Sequence, residues 1–175
     1  MSEIVSMNLL EYFNYIFDEI KRQAELCSIH YEEDEVEIPP FKLVLDKFVC
    51  LVPSEDYTEI DFGEFHFISP DERNKIGKLI EFMDYTDYAS NMVSEVVIKN
   101  IKFSDNVSTL YFPIWLPWHT TKLTIENIDF NNVRNLIGPF HRTRVHGFLR
   151  HLIIDNVKGE IHSMTDTFKD CCYET

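Results

Sequence analysis

The sequence predicts an α/β fold: a short solenoid with a parallel sheet, built from repeated strand units behind an N-terminal helical cap. Three observations lead there. A strand-like octet with one apolar skeleton recurs along the chain, an amphipathic helix precedes it, and a second helix with a strong start signal interrupts it. The 175 residues suit one domain with such a cap. They are 45% hydrophobic and 14% aromatic, enough to bury roughly 70% of the unfolded surface. Only five glycines and seven prolines exclude a low-complexity chain.

The first helix is drawn by Leu9, Leu10, Phe13, Ile16, Phe17, Ile20 and Ala24, which recur at three- and four-residue steps on one face. Asn8 is its N-cap, with Glu11 in the capping-box position. The acidic run Tyr31-Glu-Glu-Asp-Glu35 follows and reads as a solvated linker leading to Pro39-Pro40. Residues 1–38 are therefore the cap, and 39–175 the strand-repeat domain packed with it as one unit. A second helix starts at Ser69-Pro70-Asp71-Glu72, which supplies a capping hydroxyl, Pro at N1 and acids in the positive first turn. Ile76, Leu79, Ile80 and Met83 give it an apolar face, so it spans about 70–84 with an extension toward Tyr88.

Five segments share the skeleton apolar–x–apolar–x–x–apolar. They are Leu43–Cys50, Ile60–Phe67, Val96–Phe103, Leu123–Phe130 and Leu152–Gly159. The last three agree further: a charged residue, then Asn, then a β-branched residue, then a charged residue. Their starts lie 27 and 29 residues apart, the spacing of stacked units that each need a neighbour to cover an apolar edge. These units resemble leucine-rich repeats of the longer type over residues 94–160, with 43–67 as an extension. They are also similar to the strand repeats that follow the F-box in nematode substrate adaptors, although no F-box-like stretch is evident. The resemblance implies strands lining the concave side of an arc. It also implies an Asn, or a Cys or Thr, at the positions held here by Ile101, Ile128 and Val157. Asn stands one residue earlier, at Asn100, Asn127 and Asn156, so the turn must be held differently.

The net charge of −14 is uneven: residues 1–95 hold 22 acids against 7 Lys and Arg, and residues 96–175 hold 8 against 9. Such a front half disfavours nucleic-acid backbones and anionic membranes and favours a basic protein partner. The most apolar run, Leu110–Trp118, is half the length of a membrane span and is broken by Pro113 and Pro117. The N-terminus lacks a basic region followed by an apolar one. Cys27, Cys50, Cys171 and Cys172 have no framework spacing, so reduced thiols in a cytoplasmic or nuclear, non-secreted protein are expected.

Catalytic signatures are missing. Gly77-Lys78-Leu79 lacks the upstream Gly and the Ser/Thr of a phosphate loop, and there is no Gly-x-Ser-x-Gly or His-Glu-x-x-His. Cys27-Ser-Ile-His30 and His162…Cys171-Cys172 do not make two good zinc-ligand pairs. Arg142, Arg144, His146, Arg150 and His151, with Arg134 and His141, form the densest basic cluster. Arg forks suit a carboxylate or phosphate, so the cluster either docks an acidic or phosphorylated peptide or pairs with the protein's own acidic half. Trp115 and Trp118 are either interface anchors or large side chains closing the core between repeats. The strand residues between apolar positions place Asp46, Asp61, Lys99, Glu126 and Asp155 on one mostly acidic row, suited to a basic partner or to plain solvation.

These features predict a non-enzymatic protein–protein interaction module: an adaptor, an inhibitor or a complex subunit. It needs no cofactor or metal and binds neither nucleic acid nor membrane directly. The alternative is an acidic, immunity-type inhibitor that mimics nucleic acid or blocks a basic nuclease through residues 1–95.

Overall fold

The computed structural model describes residues 3–53, 70–105, 112–114, 116–131, 137–139, 149–158 and 172–174. In chain order the elements are β1 (Val5–Met7), α1 (Leu9–Cys27), β2 (Ile29–His30), β3 (Val36–Glu37), β4 (Phe41–Leu45), β5 (Val49–Leu51), α2 (Pro70–Tyr85) and α3 (Tyr88–Asn91). Then come β6 (Val93–Phe103), β7 (Phe112–Ile114), β8 (Lys122–Asp129), β9 (Ile137–Pro139), β10 (His151–Lys158) and β11 (Cys172–Glu174). The fold is α/β. Seven strands form one sheet in the order β1-β5-β6-β8-β10-β11, with β4 also on β6, and every pairing in it is parallel. Between the repeats, β7 and β9 form a second, short parallel pair.

The repeat's x–x interval has a conformational cause. A strand alternates its side chains, so two successive polar positions between apolar ones would turn the second apolar pair outward. Asn100, Asn127 and Asn156 prevent this by adopting φ of 67°, 53° and 51°, a left-handed state that Asn tolerates better than other non-glycine residues. Each strand bends there, and the inward side resumes one residue later. Val96, Ile98, Ile101 and Phe103 are buried in β6, as are Leu123, Ile125, Ile128 and Phe130 at β8. The pairing holds the bends in line, with Ile98 on Ile125 and Ile101 on Ile128, and the same step repeats on β10. The asparagine amides then form a ladder. Asn156 Nδ2 donates to Asn127 Oδ1 at 3.1 Å, Asn127 Nδ2 to Asn100 Oδ1 at 2.8 Å, and Asn100 Nδ2 to the Asp46 carbonyl at 2.7 Å. The side chains that replace the expected turn Asn therefore bond one another across strands.

The first unit corrects the octet alignment. Leu45 pairs with Ile98 and Val49 with Ile101, so three residues, Asp46-Lys47-Phe48, cross where later strands use two. Val49 and Leu51, not Phe48 and Cys50, take the inward positions. The proposed unit at 60–67 lies outside the described residues; β4 and β5 pair directly with β6, so the rung before β6 is 41–51.

The helices cover the inward face. Asn8 and Glu11 form the capping box, each side chain accepting from the other's backbone N–H. The next open donor, Leu10 N–H, is taken by Glu72 Oε1 at 3.0 Å. That buried carboxylate lies in the first turn of α2, so one charge serves the positive end of α1 and ties the two helices together. Leu9, Tyr12, Phe13, Ile16, Ile20 and Ala24 of α1 and Ile76, Ile80 and Met83 of α2 are buried in the same core as the strands. Tyr12 was missing from the sequence-based face. The stretch read as a linker is instead the tip of the β2–β3 hairpin, turned by Glu33 and Asp34 at φ 65° and 63°. The second helix ends at Tyr85, and Asp87 caps the separate α3 through the Ser90 N–H.

The N-terminal edge of the sheet is closed twice. β1 adds to β5, and the Gln23 amide of α1 behaves like a strand residue beside β4. Its Nε2 donates to the Val44 carbonyl at 2.7 Å and its Oε1 accepts from the Val44 N–H at 2.9 Å.

Candidate functional site

The outward face of the sheet is charged in ordered rows. Lys42, Glu95 and Lys122 sit side by side in register, as do Lys102, Asp129 and Lys158, and Lys99, Glu126 and Asp155. Lys122 Nζ lies 3.6 Å from Glu95 Oε1, and Lys99 Nζ 3.9 Å from Glu126 Oε2. Opposite charges directly across strands stabilise the sheet by ~0.2–1 kcal/mol per pair. These nine residues are five lysines and four carboxylates; two of the rows alternate in sign, and the row of Lys99, Glu126 and Asp155 carries two carboxylates against one lysine.

The acidic surplus lies elsewhere, at the 32–37 hairpin and in a groove. A groove of about 1080 Å³ runs between α1, β1 and the 46–48 crossing. Its carboxylates are Glu3, Glu11, Asp18, Glu19 and Asp46, against Lys47 and Lys99. Its apolar lining includes Val5, Tyr15 and Phe48. The repeat geometry produces this groove: the extra residue in the first rung lifts Asp46 and Lys47 into solvent, while Phe48 stays half-buried. Tyr15 Oη accepts from the Lys47 N–H at 3.2 Å, and Lys47 Nζ stands 5.3 Å from the Tyr15 ring centre. Burial raises the Tyr15 phenol above its ordinary range, and nearby Glu19 and Asp46 add to this. The Arg22 hydrogen bond holds the Glu19 carboxyl below its ordinary range, so Glu19 stays anionic at neutral pH. Glu11 and Glu19 are thus partly engaged within α1, and the exposed Asp18 pairs with Lys21 at 3.6 Å, whereas Glu3 and Asp46 present exposed carboxylates.

A smaller cleft of about 230 Å³ follows the asparagine ladder, lined by Asn100, Asn127, Asn156, Lys102, Asp129 and Lys158 among others. Of the sequence-based candidates, Lys99, Glu126 and Asp155 share one row of the outward face. His151 heads β10 beside Lys122, and Arg150 is exposed just before it, its Nη1 donating to the Leu149 carbonyl at 3.3 Å. Arg142, Arg144, His146 and Trp115 lie outside the described residues, as does Asp61. Trp118 is half-buried beside the fully buried Leu116.

Sequence reasoning did not bring Glu3, Asp18 and Asp46 together. Asp18 carried a signal, as a carboxylate on the polar face of an amphipathic helix, but its nearness to Asp46 depends on packing between distant segments. Among the described residues, no group of three or more His, Cys, Asp or Glu side chains is placed to hold a metal ion, and no helix is long and apolar enough to cross a membrane. No protein-family model matches the chain, and neither does any curated protein or solved structure.

Proposed function

We propose that the chain is a non-enzymatic protein–protein interaction module, a short solenoid of leucine-rich-repeat type whose acidic groove grips a basic segment of a partner protein. The in-register stacking of 93–103, 122–130 and 151–158 supports the solenoid. The observation that carries the binding role is the groove's composition: five carboxylates against two lysines around an apolar lining, beside a sheet face whose charges cancel. Basic side chains would find a surplus of carboxylates there, Glu3 and Asp46 the most exposed to them, and their aliphatic stems would find Val5, Tyr15 and Phe48. Adaptor, inhibitor and complex subunit are all roles that such a groove serves.

The test uses a fluorescein-labelled octapeptide of Lys and Arg, followed by anisotropy against salt. Replacing three exposed charges together, Glu3→Gln, Asp18→Asn and Asp46→Asn, should weaken binding about tenfold at low salt, each contributing roughly 0.5 kcal/mol. Added salt should weaken the wild type and narrow the gap. Glu32→Gln with Glu33→Gln, at the hairpin tip, should change little. Equal affinity for wild type and triple variant would remove the groove from the account.

A further inference from the structure

One cation already sits in the acidic groove, and it belongs to the chain itself. The three-residue crossing of the first rung brings Lys47 against α1, where its Nζ stands 5.3 Å from the centre of the Tyr15 ring. Its backbone is anchored there, since the Lys47 N–H donates to Tyr15 Oη at 3.2 Å. Asp46 is its chain neighbour, and Glu19 lies one helical turn beyond Tyr15 on the same face of α1. Lys21, Lys75, Lys99 and Lys122 each pair with a carboxylate. Lys47 is exposed and, among the described residues, pairs with none, because Arg22 holds Glu19 at 2.6 Å. Only the aromatic ring holds its ammonium in place.

We propose that the Tyr15 ring, with Glu19 and Asp46 beside it, is a lysine subsite, and that one lysine of the partner's basic segment displaces Lys47 to occupy it. The subsite belongs to the acidic groove proposed above and rests on that reading. Lys47 is the stand-in that shows the chemistry: an ammonium on an aromatic face, within the field of two carboxylates. At an exposed site such a contact is weak, and a long side chain without an ion pair regains rotamer freedom when it turns to solvent. A partner's lysine then meets the same ring and the same carboxylates. While Lys47 is in place it covers the ring and offsets one negative charge, so a single cation gains little. A segment whose other basic residues already rest near Glu3 or Asp18 presents its lysine at a high local concentration and competes. Lys99, the other lysine of the groove, holds no such place, since it lies 3.9 Å from Glu126 on the sheet face.

The probe is fluorescein-labelled octalysine, followed by anisotropy at about 0.15 M salt, where charges beyond about 8 Å act little. Lys47→Ala should bind it about fivefold more tightly than the wild type, since the ring is uncovered and the carboxylates beside it are freed. Lys99→Ala removes an equal charge from the same groove and should gain no more than about twofold. In a Tyr15→Leu background the gain from Lys47→Ala should shrink to about twofold, because the ring that both lysines contest is gone. The ε-methylene protons of Lys47 give a reading on the unaltered chain. In proton–carbon spectra of isotope-labelled protein, with Lys47→Ala identifying the signal, saturating unlabelled octalysine should move them toward their position in free lysine. Equal gains for Lys47→Ala and Lys99→Ala, an undiminished gain with Tyr15→Leu, or a Lys47 signal unmoved at saturation overturns the subsite and leaves the groove standing. Equal binding of octalysine by the wild type and by the triple variant at Glu3, Asp18 and Asp46 removes the groove, and the subsite with it.

Discussion

The rung at 41–51 and the two rungs beginning at Val93 and Lys122 cross the same sheet in the same direction, yet bend by different means. The later rungs cross with two residues, Lys99-Asn100 and Glu126-Asn127, and need the left-handed state. The first crosses with three, Asp46-Lys47-Phe48, none of which has positive φ. One extra residue removes the conformational demand and the need for Asn. It also releases side chains from the ladder: Asn100 and Asn127 are tied to neighbouring strands, whereas Asp46 and Lys47 point their charges into a groove. A repeat kept tight ties its side chains across strands, and a repeat relaxed by one residue leaves charged side chains exposed.

The largest effect should come from forcing a ladder residue out of its conformation. Asn127→Val combines a β-branched side chain at positive φ with the loss of two amide hydrogen bonds, and should cost about 3 kcal/mol in urea unfolding. Asn127→Gly keeps the conformation and loses only the ladder, so about 1–2 kcal/mol is expected. Lys47→Val in the relaxed rung should stay within about 0.5 kcal/mol. Comparable losses for Lys47→Val and Asn127→Val would show that the two crossings are under equal constraint, and the contrast would fail.

Next in size is Gln23→Ala. It strips the Val44 N–H and carbonyl of their partners and leaves β4 as an open edge, at a cost of about 1–2 kcal/mol. The exposed edge should also raise light scattering at high protein concentration. Gln23→Glu keeps the acceptor for the Val44 N–H but loses the donor to its carbonyl, so it should fall between the two. Scattering unchanged in Gln23→Ala would mean that something other than Gln23 guards this edge.

Much of the sheet was legible because burial imposes a pattern. The skeleton of Val96–Phe103 and Leu123–Phe130 marks inward positions, and the interval of two polar residues marks a bend. The left-handed state of Asn100 and Asn127 was not legible, since many residue types fill polar strand positions and backbone conformation leaves no periodicity. Phe48 misled the first alignment because an apolar residue stood at the matching spacing, although Val49 and Leu51 carry the real alternation. The hairpin at 29–37 has two-residue strands, too short to show a period. Gln23 looks like any polar residue on a helix, as does Glu72 in its first turn; their tasks appear only when residues 21 and 62 positions away come into contact. The acidic excess was plain in the composition, but the meeting of Glu3, Asp18 and Asp46 in one groove follows from how α1 lies against the first rung.

The smallest effect at neutral pH concerns two tyrosines on α1 that meet different surroundings. Tyr15 borders the groove and accepts from the Lys47 N–H, so Tyr15→Phe should cost about 1 kcal/mol. Tyr12 is buried in the core, and its hydroxyl has no hydrogen-bond partner among the described residues. Removing an unsatisfied buried hydroxyl forfeits no bond, so Tyr12→Phe should lie within about 0.5 kcal/mol of wild type at pH 7, on the stabilising side. The two proteins should part in alkali. Burial raises the Tyr12 phenol far above its ordinary range, with Tyr15 adding to the shift. The folded chain therefore holds a proton that the unfolded chain releases above about pH 10, and this contribution to stability, complete below that pH, falls by roughly 1.4 kcal/mol per pH unit beyond it. Tyr12→Phe lacks that slope and keeps only the part due to Tyr15. Thermal unfolding at pH 7 and pH 11 should show near-equal midpoints at the first and a higher midpoint for the variant at the second. A clear loss of stability at pH 7 would mean that the hydroxyl has a partner in solution, and that the core beneath the first rung is wetter than its packing implies.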